Sequence, residues 1–194
     1  MKGFLSIFLF LFALKTDAQQ NRIKLGIVGV PMFQSGFGIG NLGYERIRMD
    51  QKASWQLLYS VAGGSPAADV ETHLRKWFTA ERLWYFKTTH KKVNYYFSVF
   101  SEIGNRKSKP GHAHYPDTAS LKLKNAFAVN PGTSLGVVIK PGKKISFETA
   151  AGPKVLFRSG KEYYNNYRDN KGFTEPFKEI NFGLRFLFSL SYQF

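Results

Sequence analysis

Hydrophobic and polar residues alternate in a two-residue rhythm along most of this chain, most clearly at its C-terminal end. From Ile180 the even positions read Ile180, Phe182, Leu184, Phe186, Phe188, Leu190, Tyr192 and Phe194. The intervening odd positions read Glu179, Asn181, Gly183, Arg185, Leu187, Ser189, Ser191 and Gln193. A helix would repeat its apolar stripe near every 3.6 residues, so this period predicts a strand. Strands in soluble sheets usually run about five or six residues. A two-faced strand from Ile180 to Phe194 is far longer.

The same rhythm recurs upstream. Ile145, Phe147, Thr149, Ala151, Val155 and Phe157 oppose Ser146, Glu148, Ala150, Gly152, Lys154 and Arg158. Phe127, Val129, Thr133, Leu135, Val137 and Ile139 oppose Ala128, Asn130, Gly132, Ser134 and Gly136. Lys140-Pro141-Gly142-Lys143 joins these two runs as a tight turn. Val93–Ile103, Ser54–Ala62 and Ile23–Val28 alternate in the same way. Two further runs are less regular. Phe37–Arg48 puts Leu42 and Tyr44 on one side, with Asn41, Gly43 and Glu45 on the other. Leu74–Phe86 puts Arg82 on the side of Trp84 and Phe86, which requires either a place near a membrane edge or a bulge that shifts the register.

These eight runs predict an all-β, eight-stranded antiparallel transmembrane β-barrel, since single-chain bacterial barrels have an even strand number. With the N-terminus on the periplasmic side, the periplasmic turns fall at Arg48–Lys52, Lys87–Lys92 and Lys140–Lys144. The outer loops fall at Phe33–Gly36, Gly63–His73, Gly104–Lys124 and Ser159–Lys178, and most of them are longer. Short inner turns and long outer loops are the asymmetry expected of such barrels.

The C-terminal strand resembles that of outer-membrane barrels, which commonly end in alternating apolar residues and a terminal Phe. The resemblance implies that Leu190, Tyr192 and Phe194 form a signal read by the barrel-assembly machinery. Gly40-Asn41-Leu42-Gly43-Tyr44-Glu45 and the aromatic-rich Leu74–Phe86 are similar to a family of small outer-membrane barrels from Bacteroidetes-type genomes. That resemblance implies a fold and a location in the Gram-negative outer membrane, without a particular reaction.

The N-terminus agrees with export. Lys2 precedes an apolar run from Phe4 to Leu14, broken only by Ser6, and Thr16-Asp17-Ala18 supplies small residues before a cut. This pattern predicts a signal peptide over residues 1–18 and a barrel over 19–194. The run is too short for a spanning helix, which needs roughly 20 apolar residues. The chain has no Cys, so neither a disulfide framework nor a lipidated N-terminal Cys is expected.

A formal charge of +15, or +14 once Lys2, Lys15 and Asp17 leave, raises the question of nucleic acid. Export removes that partner and leaves anionic lipid. Aromatic residues make up 16 % of a chain that is hydrophilic on average. A barrel reconciles the two, because only alternate residues meet lipid.

Candidate chemistry is sparse. Lys24, Glu45, Glu102, Glu148, Lys154, Glu179 and Arg185 fall on the predicted lumen side. Eight strands leave an interior that side chains just fill. Isolated charges there are costly, so these should pair and form a solid polar core. A porin channel needs many more strands and is excluded.

His112-Ala113-His114 beside Asp117 loosely resembles a metal pair but lacks a third fixed ligand, so no metal and no cofactor is expected. An outer-leaflet lipid-modifying barrel enzyme is the alternative function. Only His73, with Glu71 or Asp69, is a candidate for it, and no nucleophile stands nearby. Arg106, Lys107, Lys109, Lys161, Arg168 and Lys171 are expected on loops, where they can meet lipid phosphates. Tyr163, Tyr164, Tyr167 and Phe173 fall in the same loops and leave two readings open, loop chemistry that simply keeps the rim soluble or an exposed recognition surface for a loop ligand whose identity is unknown. The expected function is a barrel of structural or loop-mediated binding type without a solute pore.

Overall fold

A computed structural model describes residues 19–29, 38–48, 52–64, 72–86, 92–109, 119–166 and 172–194. The eight strands are β1 (Gln19–Gly29), β2 (Gly38–Arg48), β3 (Ala53–Gly64), β4 (Thr72–Tyr85), β5 (Val93–Lys109), β6 (Ala119–Ile139), β7 (Ile145–Asn166) and β8 (Gly172–Gln193). Each pairs antiparallel with its chain neighbours, and β8 returns to β1 to close the ring. The segment expected to be a signal peptide lies outside the described residues.

The two-residue rhythm becomes an inside and an outside because successive side chains of a strand point to opposite faces. In β3, Ser54, Gln56, Leu58 and Ser60 are buried within the ring, while Trp55 and Leu57 are exposed outside it. The same split runs through β8, where Arg185, Leu187, Ser189 and Ser191 are buried and Phe188, Leu190 and Tyr192 are exposed.

Arg82 needs no bulge. The β3–β4 pairing is unbroken from Ala53↔Trp84 to Gly64↔His73. The guanidinium lies on the outer face, 4.9 Å from the Trp55 ring centroid and 5.9 Å from that of Trp84. Both aromatic partners sit close to the short-turn end of their strands, which places Arg82 there too.

Strand length differs from expectation on one side. It rises around the ring from 11 residues in β1 to 22 in β7 and β8. The segments 104–124 and 159–178, expected as outer loops, are largely strand. β5 continues to Lys109, β6 starts at Ala119, β7 continues to Asn166 and β8 starts at Gly172. Gly63 and Gly64 likewise belong to β3, and Thr72 and His73 to β4. Phe33–Gly36 lies outside the described residues.

The ring therefore carries a taller wall on the β5–β8 side. β8 meets β1 only from Phe186 to Gln193, so among the described residues Gly172–Arg185 is laddered on β7 alone. Pro176 falls within this one-sided stretch, where a missing N–H blunts an open edge.

Candidate functional site

The ring interior holds one continuous chain of buried charge. Lys24 of β1 is fully buried; its Nζ donates to Gln56 Oε1 at 2.5 Å and to Glu148, and lies 3.1 Å from Glu45. Glu45 of β2 also accepts from the Ser54 and Tyr85 hydroxyls, each at 2.6 Å, and lies 3.5 Å from Arg22. Glu148 of β7 accepts from Tyr96 at 2.5 Å and Ser189 at 3.2 Å.

Gln56 relays the chain onward. Its Nε2 donates to Glu81 of β4 at 2.5 Å. Glu81 accepts from Ser98 at 2.5 Å and from Arg185 Nη2 at 2.8 Å. Arg185 lies over the Phe100 ring at 4.2 Å, and its Nε is 3.8 Å from Glu102. Glu102 finally accepts from Lys154 at 2.8 Å and Asn130 at 3.2 Å.

Arg22, Lys24, Arg185 and Lys154 thus face Glu45, Glu148, Glu81 and Glu102, four cations against four carboxylates. A buried interior tolerates charge only where partners compensate it, and this set balances.

The interior departs from the solid polar core that the lumen charges predict. Leu58, Leu83, Tyr96, Val138, Ala150 and Leu187 form an apolar cluster inside the ring. Inward glycines make room for its bulk. A Cβ on Gly136 would stand 2.3 Å from the Tyr96 ring, and one on Gly43 would stand 2.2 Å from Leu58. Charge network and apolar cluster share the ring interior.

Of the expected lumen charges, Lys24, Glu45, Glu102, Glu148 and Arg185 are buried, and Lys154 sits at the network's outer limit. Glu179 stands apart. It is about one-third exposed in the tall wall and lies 3.6 Å from Arg158, its cross-strand partner. Two members escaped the sequence reading, Arg22 and Glu81. Both stand on the inward beat of their strands, so the alternation itself was the signal that would have found them.

Leu190, Tyr192 and Phe194 are about half exposed on the outer face, beside the β1–β8 seam. His73 belongs to β4, whereas His90, His112, His114 and Asp117 lie outside the described residues. Among the described residues no group of three or more His, Cys, Asp or Glu is placed to hold a metal ion.

The expected loop features divide between faces. Arg106, Lys107 and Lys109 belong to β5 and Lys161 to β7, while Arg168 and Lys171 lie outside the described residues. Tyr164 stacks on Phe173 with centroids 5.0 Å apart on the inner side. Tyr163 pairs with Thr174 on the other side, so these aromatics do not share one surface. Tyr167 lies outside the described residues. The Tyr164 hydroxyl donates to Glu162 at 2.6 Å, which pushes the phenol up to about 12.

Compared with known proteins, the chain matches no family model and no curated protein.

Proposed function

We propose that the chain is an exported outer-membrane barrel without a solute pore, acting as a structural element of the envelope or a binding scaffold. The observation that carries this reading is the inverted polarity of the closed ring. Soluble proteins bury apolar side chains and expose charge. Here paired charges fill much of the inside, while Trp55, Leu57, Phe78, Leu135, Phe147 and Phe188 stand about half or more exposed outside. Such a surface is costly in water and favourable in hydrocarbon.

Strand length supports the same reading. About 9–11 tilted residues cross a hydrocarbon core, and β1 and β2 have 11 each. Trp55, Trp84, Tyr95, Tyr192 and Phe194 cluster near the short-turn end, with Lys52, Lys92 and Lys144 close by in sequence. Aromatic rings with adjacent cations suit the headgroup layer. The N-terminus is then periplasmic and the tall β5–β8 wall stands outside the cell. Leu190, Tyr192 and Phe194 present the terminal strand to the assembly machinery.

Cell fractionation and heat-modifiable gel mobility test location and fold. Recovery of a soluble periplasmic protein would end the proposal. In planar bilayers the purified barrel should show no stable ohmic conductance, and reproducible ion-selective openings would overturn the closed-lumen reading.

A further inference from the structure

The outward face of β6, β7 and β8 carries a shallow groove of about 270 Å³ at the foot of the tall wall. Two neighbouring cross-strand rows form it, Phe127–Ser159–Lys178 and Val129–Phe157–Ile180. Ser159 is the smallest of the six, so the surface dips between Phe127 and Lys178. Phe127, Phe157 and Ile180 are all exposed around that dip. The other two lining residues, Arg158 and Glu179, stand on the inward beat and face each other at 3.6 Å.

Charge in this wall is sorted by face. Lys178 lines the groove, and Lys161 stands one outward position beyond Ser159, its cross-strand partner. The two lysines are therefore diagonal neighbours, about 7–8 Å apart at the backbone, and two long side chains can meet one small group. Every carboxylate of β7 and β8, namely Glu148, Glu162, Glu175 and Glu179, falls on the inward beat, and β6 has none. Among the described residues, no acid on the outward beats of these strands offsets the two ammonium groups. Like charges this close repel, so an anion held between them lowers the energy of the face.

We propose that this groove holds one phosphate-headed lipid, with an acyl chain against Phe127, Phe157 and Ile180 and the phosphate between Lys161 and Lys178. The inference rests on the outer-membrane reading, since only there does this face meet lipid. Each half of the ligand answers one half of the surface. Hydrocarbon covers the exposed apolar side chains favourably, and phosphate brings several acceptor oxygens to two ammonium donors. The Lys178 stem can lie along the groove while its ammonium stays in the polar layer. A free phosphate would leave the groove bare, and a zwitterionic head would bring its own cation against the lysines.

The test uses the full chain folded in an uncharged maltoside detergent at low salt, with folding checked by heat-modifiable mobility. Native mass spectrometry counts the lipid retained as phosphatidic acid is added in mixed micelles. Phosphatidylcholine with the same acyl chains and glycerol 3-phosphate serve as comparison probes. One phosphatidic acid should be retained saturably, phosphatidylcholine about tenfold more weakly, and glycerol 3-phosphate not at all.

Lys161→Gln with Lys178→Gln should weaken phosphatidic acid binding by about tenfold or more. Lys76→Gln with Lys107→Gln removes two outward lysines of β4 and β5, across β6 from the groove, and should change affinity by less than about twofold. Ser159→Trp fills the dip with the charges intact and should weaken binding about fivefold. Absence of saturation in a folded barrel overturns the proposal, as does equal retention of phosphatidylcholine or of glycerol 3-phosphate. Equal losses in the two lysine pairs, or unchanged affinity in Ser159→Trp, overturn it too. All of these outcomes leave the membrane reading standing, whereas recovery of a soluble periplasmic protein on fractionation would end that reading and this one together.

Discussion

Arg185 of β8 donates to Glu81 of β4 at 2.8 Å, and in this ring β8 and β4 stand on opposite sides. Both side chains are almost fully buried. The bond therefore ties together strands that share no ladder, and it can form only when the ring has closed. Its worth lies less in net attraction than in what its loss leaves behind, since desolvating two charges offsets most of the Coulomb gain.

Arg185→Leu should accordingly destabilise the barrel by about 3–5 kcal/mol, because Glu81 loses its cation and Glu102 loses a neighbouring one. Combining Arg185→Leu with Glu81→Leu should recover most of that loss, as apolar replacement of a whole buried pair often does. Urea unfolding of barrels folded into vesicles measures both. A single variant within about 1 kcal/mol of wild type would show that the pair does not hold the ring together.

Tyr96 and Gly136 give a second test, this time of packing. They are cross-strand partners, and the Tyr96 hydroxyl is held by Glu148 at 2.5 Å, so the ring is tethered at its far end. A Cβ on Gly136 would meet that ring at 2.3 Å. Gly136→Ala should cost about 1–3 kcal/mol through overpacking. Gly40→Ala, where an added Cβ meets nothing within 4 Å, should stay within about 0.5 kcal/mol. Equal behaviour of the two in the same unfolding assay would contradict the tight contact at Tyr96.

These relations differ in how far the residue pattern exposes them. All eight strands were legible, because each carries an apolar outward beat. The length of the tall wall was not. Asn105-Arg106-Lys107-Ser108-Lys109 and Ser159-Gly160-Lys161-Glu162 carry no apolar beat, since this part of the wall stands beyond the apolar outer belt. The inward side of Glu81 and Arg22 could be read from local alternation. Which carboxylate Arg185 reaches could not, because a contact across the ring depends on tilt and stagger set by all eight strands at once.

Depth along β8 provides a test of the membrane assignment itself. Phe188 lies six residues before Phe194, about 15 Å from the short-turn end at ~3.3 Å per residue and a tilt near 40°. That is close to the middle of a bilayer core of about 30 Å. On the proposed membrane assignment Phe182, the most exposed large apolar side chain at 86 %, would lie near the outer boundary. Phe188→Arg should cost about 2–4 kcal/mol in lipid vesicles and Phe182→Arg about 0–1. A flat profile along the strand would argue against a hydrocarbon surround.

The last prediction concerns how the ring is completed. Tyr192 pairs with Ile23 of β1 on one side and Ile145 of β7 on the other, so it belongs to both ladders at the seam. Gln193 N donates to Lys144 O at 2.8 Å, and Phe194 N donates to Asn21 O at 3.2 Å. Deleting Tyr192–Phe194 therefore removes the seam's rungs at the short-turn end together with two of the outward residues proposed as the assembly signal. In the proposed membrane setting an unclosed ring would leave backbone donors and acceptors facing lipid, where each unmet group costs several kcal/mol. The N-terminal segment is untouched, so export should proceed at its normal rate. The truncated chain should then collect in the periplasm in a form without heat-modifiable mobility, and its yield in the outer-membrane fraction should fall sharply. Replacing Phe194 alone by Ala preserves the Tyr192 and Gln193 rungs and separates recognition from closure. A strong drop in insertion rate with unchanged final stability would assign Phe194 to recognition. Normal accumulation of the truncated chain as a heat-modifiable barrel would show that this end is neither signal nor required seam.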